Sequence, residues 1–120
     1  MNKRVLLAED DQLLASLLNF RLKKSGYDVH HSSNGKQVKE YLMVEQPDII
    51  VTDIMMPYFS GIEPIDFVRN ELKSNTPIII ISSAGNEQNV LSAFELGAND
   101  FITKPVSPTE LLVRVAREIK

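Results

Sequence analysis

The sequence predicts an α/β fold in three layers, a doubly wound five-stranded parallel sheet with five helices. Two observations carry this. Apolar runs rich in Val and Ile alternate five times with stretches of helical period, the pattern of strands joined by helical crossovers. One run, "PIIIIS" at 77–82, is too uniformly apolar to have a wet face, so it suits a strand buried on both sides.

The elements follow in order. The first strand is "RVLLA", and a helix from about Gln12 carries Leu13, Leu14, Leu17 and Leu18 on its apolar face until Gly26 supplies a left-handed stop. Asp11 reads as a first-turn acid favoured by the helix dipole. "YDVHH" is a weaker, half-buried second strand, with His30 and His31 at its end facing solvent. A second helix from about Gly35 turns Val38, Tyr41 and Leu42 inward and cannot continue through Pro47. "DIIVTD" is the third, central strand. Met55 and Met56 read as loop packing, and Ile62, Ile65 and Val68, with Phe67 nearby, mark the third helix, whose start is blurred by Pro64. After "PIIIIS", "NEQNVLSAFELG" holds the fourth helix with its glycine stop, and "DFIT" is the last strand. The last helix has the best start signal in the chain: Ser107 as cap, Pro108 in the first turn and Glu110 as the capping-box acid. No internal repeat, linker or low-complexity segment interrupts this order.

Composition excludes several classes. A length of 120 residues suits one domain, 1–120, around a single core. With no cysteine, disulfide frameworks and thiolate metal sites drop out. "MNKRVLLAEDDQ" reaches three acids after four apolar residues, too short for a signal-peptide core, and no run approaches the roughly 20 apolar residues of a membrane span. A soluble cytoplasmic protein is expected. The net charge of −3 is spread without a basic block, so this chain is a poor candidate for direct nucleic-acid binding.

In an open parallel sheet the working crevice lies beyond the carboxyl ends of the strands. Those ends carry Glu9 and Asp10, then Asp53, then Ser82, then Lys104. Taken singly, each is an ordinary turn, cap or surface residue. Together, four of five strands deliver a polar group of complementary type to one edge. Like charges raise one another's pKa, and a divalent cation is the usual remedy. Mg2+ fits, because it prefers oxygen ligands and is commonly held by one or two carboxylates plus phosphate oxygens. Lysine and a hydroxyl opposite the acids complete a phosphoryl-binding set.

The stretches "LLAEDD", "DIMMPYFSG", "IIIISSAG" and "DFITKP", in this order and spacing, resemble the receiver domain of bacterial two-component response regulators. The resemblance spans the chain, and its most specific part is Asp53 followed by Met56, Pro57 and Gly61, with Lys104-Pro105 about fifty residues on. It implies the flavodoxin-like strand order 2-1-3-4-5. It also implies that Asp53 accepts a phosphoryl group from a phosphohistidine on a sensor histidine kinase or histidine phosphotransfer protein. Glu9, Asp10, Asp53 and the backbone carbonyl of Met55 match the Mg2+ ligands. Ser82 matches the switch hydroxyl, Lys104 the lysine that pairs with a phosphoryl oxygen, and Phe101 the switch aromatic. Movement of the hydroxyl and ring would repack the face of the fourth helix, last strand and last helix, controlling an output domain or partner. A cis Lys104-Pro105 bond is implied as well.

The chain departs from the common pattern at Glu9, where many members have Asp, at Ser60, often acidic, and at Val106, often aromatic. The tail "SPTELLVRVAREIK" resembles receivers joined to winged-helix DNA-binding domains, in which Asp100 and Arg114 would form an intersubunit pair. Val90 and Ala116 stand where that subfamily usually carries bases. A homodimer through this face is one expectation.

Two other classes fit less well. A pseudo-receiver serving only as an interaction module would show damage at the acids, hydroxyl or lysine, and none is damaged. Among enzymes of similar sheet type, a flavin or dinucleotide binder wants a glycine- or hydroxyl-rich loop after the first strand, where "AEDDQ" would repel phosphate. Haloacid-dehalogenase-like phosphatases place Asp-x-Asp after that strand, and the spacing is missing. The expectation is therefore a phospho-accepting switch with self-phosphotransfer and self-dephosphorylation, not a turnover enzyme.

Overall fold

The computed structural model describes residues 2–56, 59–60 and 62–119, without the side chains of Met56, Phe59 and Ser60. Pro57 and Gly61 of the motif, and the side chains of Met56 and Ser60, lie outside the described residues.

Strand β1 (Arg4–Ala8) leads into helix α1 (Gln12–Lys24), then β2 (Asp28–Ser32), α2 (Gly35–Val44) and β3 (Ile49–Asp53). A two-residue antiparallel pairing of Met55–Met56 with Phe59–Ser60 follows. Next come α3 (Glu63–Asp66), running on as a π-helical segment Phe67–Glu71, then β4 (Ile78–Ser82), α4 (Glu87–Leu96), β5 (Asp100–Thr103) and α5 (Pro108–Glu118). The five strands form one parallel sheet in the order β2-β1-β3-β4-β5, which is the order the resemblance implies.

The sheet is buried on both faces because β1, β3 and β4 are apolar on both. Leu6, Ala8, Ile50, Ile78 and Ile80 pack with Val38 and Leu42 of α2, Ile65 and Val68 of the α3 segment and Ala93 of α4. Val5, Leu7, Ile49, Val51, Ile79, Ile81 and Ile102 pack on the other side with Leu18 and Leu22 of α1 and Leu111 and Val115 of α5. Three layers result, with α2, α3 and α4 on one side and α1 and α5 on the other. The register places Ala8 beside Thr52, Asp53 beside Ile81 and Ser82 beside Thr103, so the carboxyl ends of these strands open on one edge.

Five details differ from the sequence reading. In α1 the inward residues are Ala15, Leu18 and Leu22, with Leu14 half-buried, whereas Leu13 is 85% exposed and Leu17 lies on the outside with Phe20. Four leucines at 13, 14, 17 and 18 draw two neighbouring stripes, and only the one continued by Leu22 reaches the sheet. Asp11 is the N-cap of α1, not a first-turn acid: its side chain accepts the N–H groups of Leu13 and Leu14. Strand β2 is shifted one residue onward, and of its two histidines only His30 is exposed. His31 is half-buried on the face it shares with Val29, and its Nε2 lies 2.8 Å from the Glu9 carbonyl oxygen. The α3 helix widens into a π turn, in which Leu72 N–H donates to Phe67 O at 2.9 Å. The side chain of Met55 does not pack into the loop but is exposed.

Candidate functional site

Asp53 closes β3 and is 3% exposed, and the chain carries it there because Ile49 to Val51 are wholly buried and commit the strand to the centre of the sheet. Its two oxygens have separate partners. Oδ1 accepts the Met55 N–H at 2.8 Å, and Oδ2 lies 2.6 Å from Nζ of Lys104. Lys104 follows β5, and its own N–H donates to the Ser82 carbonyl at 2.8 Å, which ties the lysine's backbone to the end of β4. The Lys104-Pro105 peptide is cis.

Glu9 and Asp10 lie just past β1. Glu9 N–H donates to Ser32 O at 3.0 Å, extending the β1–β2 ladder by one step. The Glu9 carboxylate is wholly buried. Its Oε2 accepts the Asp11 N–H at 3.1 Å, while Oε1 has no hydrogen-bond partner and lies 3.7 Å from Nζ of Lys104. Burial pushes the Glu9 carboxyl up to about 8, helped by the Asp53 charge and opposed by the Asp11 N–H and Lys104. For Lys104 burial pulls the other way, but the hydrogen bond and charge of Asp53, with Glu9 and Asp10, outweigh it and leave the ammonium raised above its ordinary value.

Glu9, Asp10 and Asp53 each offer an oxygen within 4.8 Å of the others, two from buried residues and one from an exposed residue. Three carboxylates and a single lysine leave surplus negative charge in a site closed to water on its inner side. An all-oxygen donor set with a buried Glu9 Oε1 that has no hydrogen bond and only the distant Lys104 ammonium fits a hard divalent cation. Met55 shares the loop, with its N–H on Asp53.

Ser82 is buried at the end of β4, and its hydroxyl donates to the Ser83 carbonyl at 3.1 Å, not to the acids. A groove of about 480 Å³ opens beside it, lined by Val90, Leu91, Phe101 and Thr103 among others. Phe101 is 39% exposed and rests edge-on against Phe94, with centroids 5.9 Å apart. Asp100 pairs within the chain, with Arg114 at 2.7 Å and Arg117 at 3.2 Å. Thus Glu9, Asp10, Asp53 and Lys104 come together, Ser82 stands at the same edge with its hydroxyl turned aside, and Phe101 faces outward beyond it. Sequence reasoning missed His31 behind Glu9, whose contact depends on the pairing of β2 with β1.

Among the described residues no helix is long and apolar enough to cross a membrane. The family profile described as "Response regulator receiver domain" matches residues 5–116. Over 115 residues the chain is 38% identical to the alkaline phosphatase synthesis transcriptional regulatory protein PhoP of Bacillus subtilis, covering 96% of this chain and 48% of that protein. It therefore spans about half the length of this curated relative. The receiver domain of Francisella response regulator 1452 superposes with a TM-score of 0.89 at 33% identity, covering 98% of this chain and 97% of that one. A CheY-like response regulator receiver domain protein from Methanospirillum hungatei JF-1 shares the fold, with a TM-score of 0.93 at 23% identity over 99% of this chain and 94% of that one. An acid cluster and a lysine at the carboxyl edge of a 2-1-3-4-5 parallel sheet, within a profile match spanning nearly all the sequence, make this chain a member of the response regulator receiver domain family.

Proposed function

We propose that the chain is a phosphorylation-activated signalling switch in which Asp53 takes a phosphoryl group from the phosphohistidine of a sensor histidine kinase or histidine phosphotransfer protein. The observation that carries this is the 2.6 Å pair of Asp53 with Lys104 inside an acid cluster that retains a buried carboxylate oxygen without a hydrogen bond. In the transfer, an oxygen of Asp53 bonds to phosphorus as the P–N bond to the donor imidazole breaks. The imidazole nitrogen keeps the electron pair and takes a proton from solvent. Hydrolysis of the resulting acyl phosphate restores the carboxylate.

Glu9, Asp10, Asp53 and the Met55 carbonyl are the groups that would hold Mg2+. When bound, the ion would neutralise charge building on the transferring oxygens. Lys104 stabilises the same charge from the other side and already stands at the acceptor. The Ser82 hydroxyl, now on a neutral carbonyl, gains a stronger acceptor once a phosphoryl oxygen is present. Its turn would free space beside the groove into which Phe101 can move, shifting the α4/β5/α5 face between populations. That face would control an output domain or partner, or pair with a second copy of the chain. Mg2+, kinase, output and dimer belong to this reading together.

A pseudo-receiver acting by binding alone is the second reading, and the intact set of acids, hydroxyl and lysine disfavours it. Incubation with acetyl phosphate and Mg2+ followed by intact mass separates them. A single phosphoryl adduct is expected on the wild type and none on Asp53→Asn. An unmodified wild type would leave the interaction module standing.

A further inference from the structure

His31 is the one histidine that reaches toward the acid cluster, and the transfer chemistry above does not use it. It sits on the edge strand β2, in register with Leu7 of β1, and its ring turns to the α1/α5 side of the sheet with Val29. Nε2 lies 2.8 Å from the carbonyl oxygen of Glu9. A carbonyl can only accept, so the ring carries its proton on Nε2 and donates it.

The place of this bond gives it a particular role. The β1–β2 ladder ends at the Glu9 N–H on Ser32 O, and the α1 helix begins with the Ala15 N–H on Asp11 O. Between them lies the Glu9–Asp10 peptide. Among the described residues its hydrogen-bond tie is the one from His31. The direction of the Glu9 carbonyl fixes the backbone rotation after Glu9, and hence where the Asp10 side chain leaves the chain. Glu9 is held independently by burial and by the Asp11 N–H, whereas Asp10 is exposed and has no such support.

We propose that His31 is a positioning residue of the acid cluster: by donating from Nε2 to the Glu9 carbonyl, it holds the Glu9–Asp10 peptide in the orientation that keeps the Asp10 carboxylate among the cation ligands. This rests on the reading of that cluster as an Mg2+ site. Outer partners that orient metal ligands belong to the site as surely as the ligands do, and their loss weakens metal binding by about 10- to 100-fold.

Calorimetric titration of Mg2+ into the unphosphorylated protein tests it, using wild type, His31→Phe and His31→Gln. Phenylalanine fills the ring's space but cannot donate, and glutamine places an amide N–H near the position of Nε2. His31→Phe is expected to weaken Mg2+ binding by about tenfold, with His31→Gln restoring most of it. A ring needed for packing alone predicts the opposite order, with Phe tolerated and Gln the worse, and that order would overturn the proposal. A wild type that takes up no Mg2+ would remove the metal-site reading along with it. A wild type that binds Mg2+ alongside an equally competent His31→Phe would remove this inference alone. Nitrogen NMR of the wild-type imidazole needs no variant. A proton on Nε2 is expected, and the neutral Nδ1–H tautomer would refute the hydrogen bond.

Discussion

Glu9 ionises in the folded protein only against the cost of its burial, and this sets a pH dependence whose sign is opposite to that of most carboxylates. Its ordinary value is 4.5, and the folded environment moves it up to about 8. Between these limits the native state keeps a proton that the unfolded chain has lost. Stability from this residue is therefore fully present below the lower limit and is lost as the pH rises through the upper one. Denaturant melts without metal should show a loss of a few kcal/mol across that window. Glu9→Gln, which cannot ionise, should flatten the profile and abolish tight Mg2+ binding. Excess Mg2+ should restore the wild type most at the alkaline end, because a cation binds the ionised form. A wild-type midpoint unchanged across the window would show that Glu9 ionises as an ordinary surface acid does.

The helices show how far an apolar pattern specifies an element and where it stops. If α1 is seated by Leu18 and Leu22, then Leu18→Ala should cost about 2–5 kcal/mol in denaturant unfolding, while Leu13→Ser should change stability by less than about 0.5 kcal/mol. Equal costs would return Leu13 to the core. At the end of α4, Gly97 has φ +119°, and a Cβ there would meet Nε of Arg69 at 2.8 Å. Arg69 reaches across from the π-helical segment and donates to the Gly97 and Ser74 carbonyls and to Asn99. Gly97→Ala should therefore destabilise by about 2 kcal/mol, by strain and by displacing that guanidinium, and a neutral effect on the thermal midpoint would contradict both causes. The glycine stop at 97 and the buried run at 78–82 were legible because each is a local property of residue type. Leu13 was misread because adjacent leucine stripes have the same period, and choosing between them takes the sheet beneath. The π turn left no mark in the sequence. The positions of Glu9, Asp53 and Lys104 were legible because strand ends in a parallel sheet converge. The contact of His31 was not, because it depends on how β2 is registered against β1, which the sequence of β2 alone does not fix.

At the scale of the molecule, the proposed switch requires a charge change at Asp53 to reach another protein. The α4/β5/α5 face carries exposed Leu91, Phe94, Phe101 and Val113. Both oxygens of Asp100 are occupied by Arg114 and Arg117 of the same chain. An intersubunit pair at Asp100 would replace one arginine by an equivalent one, a nearly neutral exchange. In such a dimer the ion pairs would therefore supply register rather than driving force. What could drive association is burial of the apolar residues, and under the proposed switch Phe101 is the one whose exposure would change with Ser82 and the phosphoryl group. In sedimentation velocity with Mg2+ and beryllofluoride, the wild type should shift toward a dimer, and Leu91→Asp should remain monomeric while still accepting a phosphoryl group on Asp53. The shift should survive moderate salt, since burial and not charge holds the copies together. A wild type that stays monomeric with and without the phosphoryl mimic would exclude self-association of this chain and leave the face to a different partner. Dimerisation that vanishes as salt is raised would instead assign the driving force to Asp100 and the two arginines.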